Sequence, residues 1–342
     1  MSISIPQTCK AVVLDSPRAP WLVKEIQVKQ PKEGEILIKS LACGVCHSDL
    51  ATRNGDFDSI TKYPIVPGHE VLGDVVAIGA NVKGWKLGDR AGGAWHGGND
   101  GNCKACSRGL PQVCKNLEVN GVTRDGGFSE YCTLRADAAV PVPKDVDPIS
   151  FAPLLCAGIT VFNAIRKSNV PQGDTIAISG VGGLGHLAIQ YARLMGYRTV
   201  AISETEDKRE AALSLGAHKF INSRKEDPVE ELQKDGGASL IINFVARPEV
   251  VQKLVKGVSP GGSILLIAPV DGVSLDFIKL IVFGVSVRTW SSGFAPETRE
   301  AIDFAINQGV NCLTKEFSLD EVEAAFAAME DRTIRFRPVI KF

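Results

Sequence analysis

The pattern of apolar and polar positions changes character part-way along the chain. Over the first 150 residues the apolar runs are short, rich in β-branched side chains and bounded by Gly, Pro, Asn or Asp. Residues 10–14, 35–41 and 71–78 read as strands of this kind. The many glycines and prolines between them suit the tight turns of an irregular barrel. From about residue 150 the texture alters. Residues 151–167 form an apolar, helix-compatible stretch that ends in the turn Pro171-Gln172-Gly173-Asp174. The apolar run at 175–179 is short enough for a buried parallel strand. Behind it Leu184, Leu187, Ala188, Tyr191 and Ala192 recur at helical spacing.

Strand signals return at 199–202, 239–245 and 263–267, each separated by helix-compatible sequence. Strand–helix alternation of this kind predicts a parallel, doubly wound sheet and an α/β class. The tail carries helical stretches at 300–308 and 319–329 and a final strand at 338–342. The expected organisation is a β-rich domain of residues 1–154, completed by 290–342, around a parallel-sheet domain at 155–289. No internal repeat is visible.

Composition adds mainly exclusions. A length of 342 residues suffices for two ordinary domains. With 38 basic and 39 acidic side chains the net charge is −1, so no overall field gathers polyanions and nucleic acid is not an expected partner. The first eleven residues lack a signal peptide's basic and apolar regions. No apolar run reaches the roughly 18 residues needed to cross a bilayer. A cytoplasmic protein that works without a membrane is expected. Nine cysteines cannot all pair with one another. Cys103, Cys106 and Cys114 cluster at short spacings, which suggests metal before disulfides. Cys9, Cys132 and Cys312 stand alone and read as small buried hydrophobes.

The run Gly180-Val181-Gly182-Gly183-Leu184-Gly185 fits G-x-G-x-x-G, and the strand before it and the helix behind it supply the context of a dinucleotide fingerprint. Gly180 permits the tight turn, Gly182 lets backbone approach a pyrophosphate, and Gly185 allows close helix–strand packing. NAD enzymes normally place a carboxylate about 20 residues on, against the adenosine ribose. Here Ser203 stands at that strand end, so nothing there repels a 2′-phosphate, and Lys208 and Arg209 could supply countercharge. Glu204 could instead turn in and serve NAD. The expectation favours NADP over NAD.

Three further segments carry the chemistry: Cys43-Gly44-Val45-Cys46-His47-Ser48-Asp49, Gly68-His69-Glu70 and Leu155-Cys156-Ala157-Gly158. Together with the cysteine cluster and the glycine fingerprint, they occur in the order found in zinc-dependent medium-chain alcohol dehydrogenases. The chain resembles that family from Lys10 to its terminal strand. The resemblance implies a Rossmann doubly wound parallel sheet plus a GroES-like β-rich catalytic domain. It also implies Cys46, His69 and Cys156 as protein ligands of a catalytic zinc. Two thiolates and one imidazole leave the fourth tetrahedral position open, as catalytic zinc requires. Cys43 lies outside the family's ligand set, although Cys43-x-x-Cys46 imitates a redox or zinc pair.

The same resemblance assigns the neighbours of those ligands. Asp49 is expected to accept from His69 and fix its ring, and Glu70 to lie beside the metal and approach it when a ligand exchanges. Ser48 falls where the family places the hydroxyl that bonds the substrate oxygen and starts a proton relay, since a hydroxyl both donates and accepts. Many family members end the relay at a histidine three residues further on. This chain has Ala51 there, so the proton must leave through the ribose hydroxyl and water, or by another route. His47 and Arg337 are expected near the cofactor pyrophosphate, Thr160 at the nicotinamide, and the backbone of Val245 at the carboxamide. Phe57 and Trp95 match positions that line the substrate pocket, and their bulk favours primary alcohols, aldehydes or slim ketones.

A second cluster, Asp100, Cys103, Cys106 and Cys114, has two, two and seven residues between successive members. Family members often carry four cysteines at this spacing around a structural zinc. Carboxylate oxygen is an acceptable zinc ligand, so Asp100 can replace the first thiolate and the metal would pin a loop with no core of its own. The implied activity is hydride transfer between a small alcohol, aldehyde or ketone and a nicotinamide cofactor, with two Zn2+ per chain, in a homodimer or homotetramer. The alternatives are a biosynthetic reductase of a conjugated or bulky substrate on the same scaffold, a zinc-free quinone or enoyl reductase, and a non-catalytic binding protein.

Overall fold

The computed structural model describes residues 4–342. The chain forms two compact units: one runs to Ile159 and resumes as Gly293–Phe342, and the other is Thr160–Ser292.

The second unit is built on six parallel strands. Their order is Lys219–Asn222, Arg198–Ser203, Thr175–Ser179, Ala238–Asn243, Val258–Leu266 and Ser286–Thr289. The chain therefore starts in the middle, winds outward to one edge, returns to the middle and winds to the other. Winding reverses between Thr175–Ser179 and Ala238–Asn243, and the crevice at the carboxyl ends of such strands is where open α/β sheets bind ligands. Ile176, Ala177, Ile178, Leu240, Ile241 and Ile242 are all fully buried. Cover on both faces explains why these strands read as apolar runs without alternation.

In the first unit the principal sheet runs Thr314–Ser318, Arg337–Lys341, Glu35–Gly44, Val71–Ile78, Arg90–Gly93, Val140–Pro141, with Tyr131–Arg135 also paired to Glu35–Gly44. Apart from the parallel first pair, its ladders are antiparallel. Thr8–Val13 pairs with Leu22–Gln27, and His96–Gly98 with Glu118–Val119, in two small sheets. Register decides which side chains meet at the end of the long central strand. Gly44 lies opposite Val339, and Cys43 opposite both Ile340 and Val71. The chain just past Gly44 therefore leaves the sheet beside the segments carrying His69, Glu70 and Arg337, with Val45 N–H donating to Pro338 O and Gly44 N–H to Glu70 O.

The sequence pattern and the structure differ in instructive places. The helical stretch at 151–167 is broken into Pro148–Phe151, a 3-10 turn at Ala152–Leu155 and Ala157–Arg166, with Cys156 at the break (φ −128°, ψ −65°). Ala152 and Leu155 pack with Ala42, Leu72 and Val339 in the first unit's core. That packing holds the turn against the first unit and puts the cut at Ile159/Thr160, so Cys156 belongs to the β-rich unit. The helix read at 300–308 begins earlier, at Ala295, because Pro296 suits a first helical turn. Leu22–Gln27, Phe277–Phe283 and Ser286–Thr289 are elements the pattern leaves unassigned, whereas the helix Pro248–Leu254 occupies helix-compatible sequence between two of the strand signals. Among the described residues no single helix is long and apolar enough to cross a membrane.

Candidate metal and dinucleotide sites

The metal-ligand geometry starts from one carboxylate. Cys46 immediately precedes the helix His47–Asn54, and its N–H donates to Asp49 Oδ2 at 2.9 Å. The other oxygen, Asp49 Oδ1, accepts from Gly68 N–H at 3.2 Å and faces His69 Nδ1 at 2.8 Å. Asp49 and His69 are both buried. Asp49 thus ties the helix start, the turn before His69 and the imidazole together, and an accepting carboxylate fixes the proton on Nδ1. Nε2 is left with its lone pair, buried and without a hydrogen-bond partner. Leaving such a group unpaired costs about 1–3 kcal/mol. Donor atoms of Cys46, His69, Glu70 and Cys156 all lie within 4.8 Å of one another. An orphaned imidazole nitrogen facing two thiols is a donor set that fits a zinc ion.

The break at Cys156 is what lets its sulfur join. Cys156 N–H bonds back to Pro153 O at 3.3 Å, outside an α-helical ladder. Of the two thiols, Cys46 is the more acidic: a hydrogen bond from Cys156, with the charge of Arg337 nearby, outweighs its burial and holds it well below the ordinary thiol range. Cys156 moves up, through the proton it shares with Cys46 and through burial. A divalent ion reverses that logic by displacing the shared proton. Burial pushes Glu70 up to about 7 against the pull of Arg337. Arg337 Nη2 lies 2.6 and 2.7 Å from the two Glu70 oxygens and donates to Val45 O at 2.9 Å. A Cβ on Gly44 would collide with the Glu70 carboxylate, so this position needs glycine. The family resemblance places Arg337 at the pyrophosphate and does not reveal the Glu70 pair. No spacing rule links residues so far apart; only the register of Arg337–Lys341 on Glu35–Gly44 brings them together.

Other expected residues fall around this centre. Trp95 stands edge-on to the His69 ring, centroids 5.0 Å apart, and Phe57 meets Trp95 at 5.7 Å. Ser48 Oγ is 3.9 Å from Cys46 Sγ, and His47, the first residue of its helix, is exposed. Cys43 is fully buried and absent from the ligand cluster. Burial keeps its thiol protonated.

In the second cluster, Cys103 Sγ lies 3.6 Å from Cys106 Sγ and 3.7 Å from Cys114 Sγ, and Cys106 Sγ lies 3.5 Å from Asp100 Oδ1. A tetrahedron with Zn–S bonds of about 2.3 Å has sulfur–sulfur edges of about 3.8 Å, and a carboxylate edge somewhat shorter. The four residues therefore fit a closed zinc site. N–H groups of Asp100 and Asn116 point at Cys114 Sγ (3.4 and 3.3 Å), as thiolate ligands require. Backbone N–H groups of Cys103 and Asn102 hold the Asp100 carboxyl well below its ordinary range. Backbone N–H groups bring Cys103 down to about 7, while burial and Cys103 itself push Cys106 up to about 11.

The dinucleotide fingerprint lies in the other unit, at the carboxyl end of Thr175–Ser179 and on the switch point. Gly180 adopts φ +95°, and a Cβ on Gly185 would strike the Gly180 carbonyl. Gly182 opens on free space, with no atom within 4 Å of where a Cβ would stand, which suits backbone approach to a phosphate. Val181, Gly183 and Leu184 complete the loop before the helix Gly185–Leu194. Asn243 Nδ2 donates to Val245 O at 2.8 Å, a positioning contact with no signal in the sequence. Thr160 and Ser203 are both buried. Arg209 pairs with Glu206 and covers the Phe220 ring at 4.7 Å, so its guanidinium is committed locally. Glu204 is instead held by Arg247 and, at 3.8 Å, by Arg224.

A β-rich unit with a Cys2His donor set, a cysteine-rich lobe and a parallel sheet with a dinucleotide fingerprint are together the features of the zinc-type medium-chain dehydrogenase/reductases, and the chain belongs to that family. Residues 32–144 match the family profile described as alcohol dehydrogenase GroES-like domain, and residues 183–307 the profile described as zinc-binding dehydrogenase. The chain is 46% identical to the alcohol dehydrogenase patD of Penicillium expansum and 42% identical to the alcohol dehydrogenase notN of Aspergillus sp. (strain MF297-2). Each match covers 99% of both chains. Its fold is similar to that of the alcohol dehydrogenase of the archaeon Aeropyrum pernix, with a TM-score of 0.89, 27% identity, and coverage of 97% of this chain and 100% of the other. The protein is an alcohol dehydrogenase-type oxidoreductase of the zinc-binding dehydrogenase family.

Proposed function

We propose that this enzyme reduces small aldehydes with NADPH at a zinc held by Cys46, His69 and Cys156. The observation that carries the proposal is the bare, buried Nε2 of His69 facing two thiols. When bound, the metal supplies a Lewis acid that polarises the substrate oxygen, and the nicotinamide supplies hydride. Asp49 keeps the His69 lone pair aimed at the metal position. Arg337 neutralises Glu70 so that the dication meets two thiolates without a third full anion. The Ser48 hydroxyl hands its proton to the reduced oxygen and takes one back from outside, since Ala51 offers no side chain to continue the route. Trp95 and Phe57 exclude water from one side and limit substrate width. Cys103, Cys106, Cys114 and Asp100 hold a second zinc that fixes their loop.

NADP is favoured because Ser203 leaves the adenosine end without the ribose carboxylate, and the carboxylate next in sequence, Glu204, is neutralised by Arg224 and Arg247. Initial rates with NADPH and NADH over a panel of aldehydes, with zinc measured per chain, test this reading. The expected result is a kcat/KM at least about tenfold higher with NADPH and about two zinc ions per chain. Equal rates with NADH would remove the cofactor preference, and zinc-free active protein would remove the site.

Self-association is proposed through the open edge of the parallel sheet. Among the described residues the strand Ser286–Thr289 has one free side, and the preceding helix exposes Phe277, Ile278, Ile281, Val282 and Phe283, with Ile281 at 78%. A bare sheet edge beside so much exposed apolar surface fits a two-fold partner. Ile281→Asp is expected to shift the sedimentation coefficient from dimer or larger to monomer. An unchanged coefficient would place the interface elsewhere.

A further inference from the structure

The loop that would hold the second zinc is linked by hydrogen bonds to the wall of the catalytic site. Asn99 Nδ2 donates to Cys106 Sγ at 3.5 Å, and Asn99 Oδ1 lies 3.1 Å from His96 Nε2. A metal-bound thiolate only accepts, so the amide nitrogen must face the sulfur and the amide oxygen must accept from His96. That sets the proton of His96 on Nε2 and leaves Nδ1 bare, in agreement with its lack of a partner. His96 is buried, 3% exposed, and packs edge-on to Phe294 with centroids 6.4 Å apart. It begins the short strand His96–Gly98, directly after Trp95. On the near side Asn120 Nδ2 holds Ala94 O at 2.7 Å. The backbone on which Trp95 is mounted is therefore pinned just before and just after it, and the later pin runs through Asn99 to a ligand of the second metal cluster.

We propose that Asn99 is a positioning residue that couples metal occupancy at Cys106 to the placement of Trp95, and so to substrate size preference. Bridging of a ligand sulfur to a buried histidine by one amide is strongest when the sulfur is a metal-bound thiolate, because charge-assisted hydrogen bonds are the strong ones. Loss of that metal weakens the bond to Asn99, frees His96, and relaxes the ring that packs on His69 and Phe57. The inference rests on the proposed function, in which Trp95 lines the substrate pocket. It gives the second zinc a function beyond holding its own loop.

The test uses full-length enzyme labelled with 5-fluorotryptophan, whose four tryptophans give separate fluorine resonances. Trp95→Phe assigns the resonance of interest. In the enzyme with both metals in place, Asn99→Leu is expected to shift the Trp95 resonance and leave those of Trp21, Trp85 and Trp290 where they were. Selective chelation of the second-cluster zinc from the unmodified enzyme should move it the same way. KM for a bulky aromatic aldehyde, relative to propanal, should change about fivefold or more with kcat conserved. His96→Gln, which keeps a donor for Asn99 Oδ1, should stay close to the parent in both readouts. An unmoved Trp95 resonance in metal-replete Asn99→Leu would overturn the coupling. If Asn99→Leu fails to keep its zinc, His96→Leu breaks the same link away from the ligands and is judged by the same resonance. A size preference that ignores Trp95→Ala, with the resonance shift intact, would instead strike the pocket reading and leave the coupling standing.

Discussion

Cys46→Ala is expected to lower kcat/KM by at least about a thousandfold, since it removes the group on which polarisation of the substrate oxygen depends. Zinc should fall from about two ions per chain to about one, because the Asp100, Cys103, Cys106, Cys114 cluster is built from separate residues. Folding should survive: the helix His47–Asn54 keeps its Asp49 contact to the backbone N–H of residue 46, which alanine also provides. Cys43→Ala is the matched control. Its thiol is buried in the strand Glu35–Gly44 and away from the cluster, so metal content and turnover should remain at parent levels. Metal analysis and steady-state kinetics on the two variants check the assignment together. The opposite outcome, with Cys43 indispensable and Cys46 dispensable, would mean that the wrong member of Cys43-x-x-Cys46 has been chosen.

Glu70→Ala is expected to destabilise the first unit by about 3–5 kcal/mol, because it strands the Arg337 guanidinium in the interior. Arg337 is 3% exposed and would keep only the Val45 carbonyl as acceptor for Nη2. The reverse change, Arg337→Met, should cost less. A carboxyl can take up a proton and become neutral, and burial already pushes Glu70 up to about 7, whereas a guanidinium has no such escape. Urea unfolding of the metal-loaded variants measures the difference. Equal losses would show that the pair contributes through shape alone.

Both experiments probe contacts that differ in how far the sequence reveals them. The candidate ligands Cys46, His69 and Cys156, whose donor atoms the structure brings together, are legible because they fall in short segments whose order matches a known family. The Rossmann sheet is legible because strands buried on both faces carry apolar runs, and Gly180 and Gly185 each solve a local steric problem visible in the motif. The Glu70–Arg337 pair is hidden, since it depends on the register of a terminal strand against one nearly 300 residues earlier. The role of Asn99 is hidden for a related reason. An asparagine between two glycines and an aspartate looks like turn chemistry, and only the folded loop brings it to Cys106 and His96. At Cys156 the apolar pattern misleads, because helix periodicity persists through a stretch where tertiary packing of Leu155 interrupts the helix. Beyond the strand Arg198–Ser203, Lys208 and Arg209 look equivalent in sequence, yet Arg209 is spent on Glu206 and Phe220 while Arg224 and Arg247 approach Glu204. Side-chain commitments of this sort follow from packing and cannot be read along a line.

The zinc-dependence of turnover is most directly measured by stripping the purified enzyme with a chelator and titrating zinc back while following aldehyde reduction. Folded but inactive protein is expected after stripping, with activity restored as zinc returns to the Cys46, His69 and Cys156 site. Metal-free enzyme that keeps its fold and reduces aldehydes at the undiminished rate would contradict a zinc-dependent mechanism.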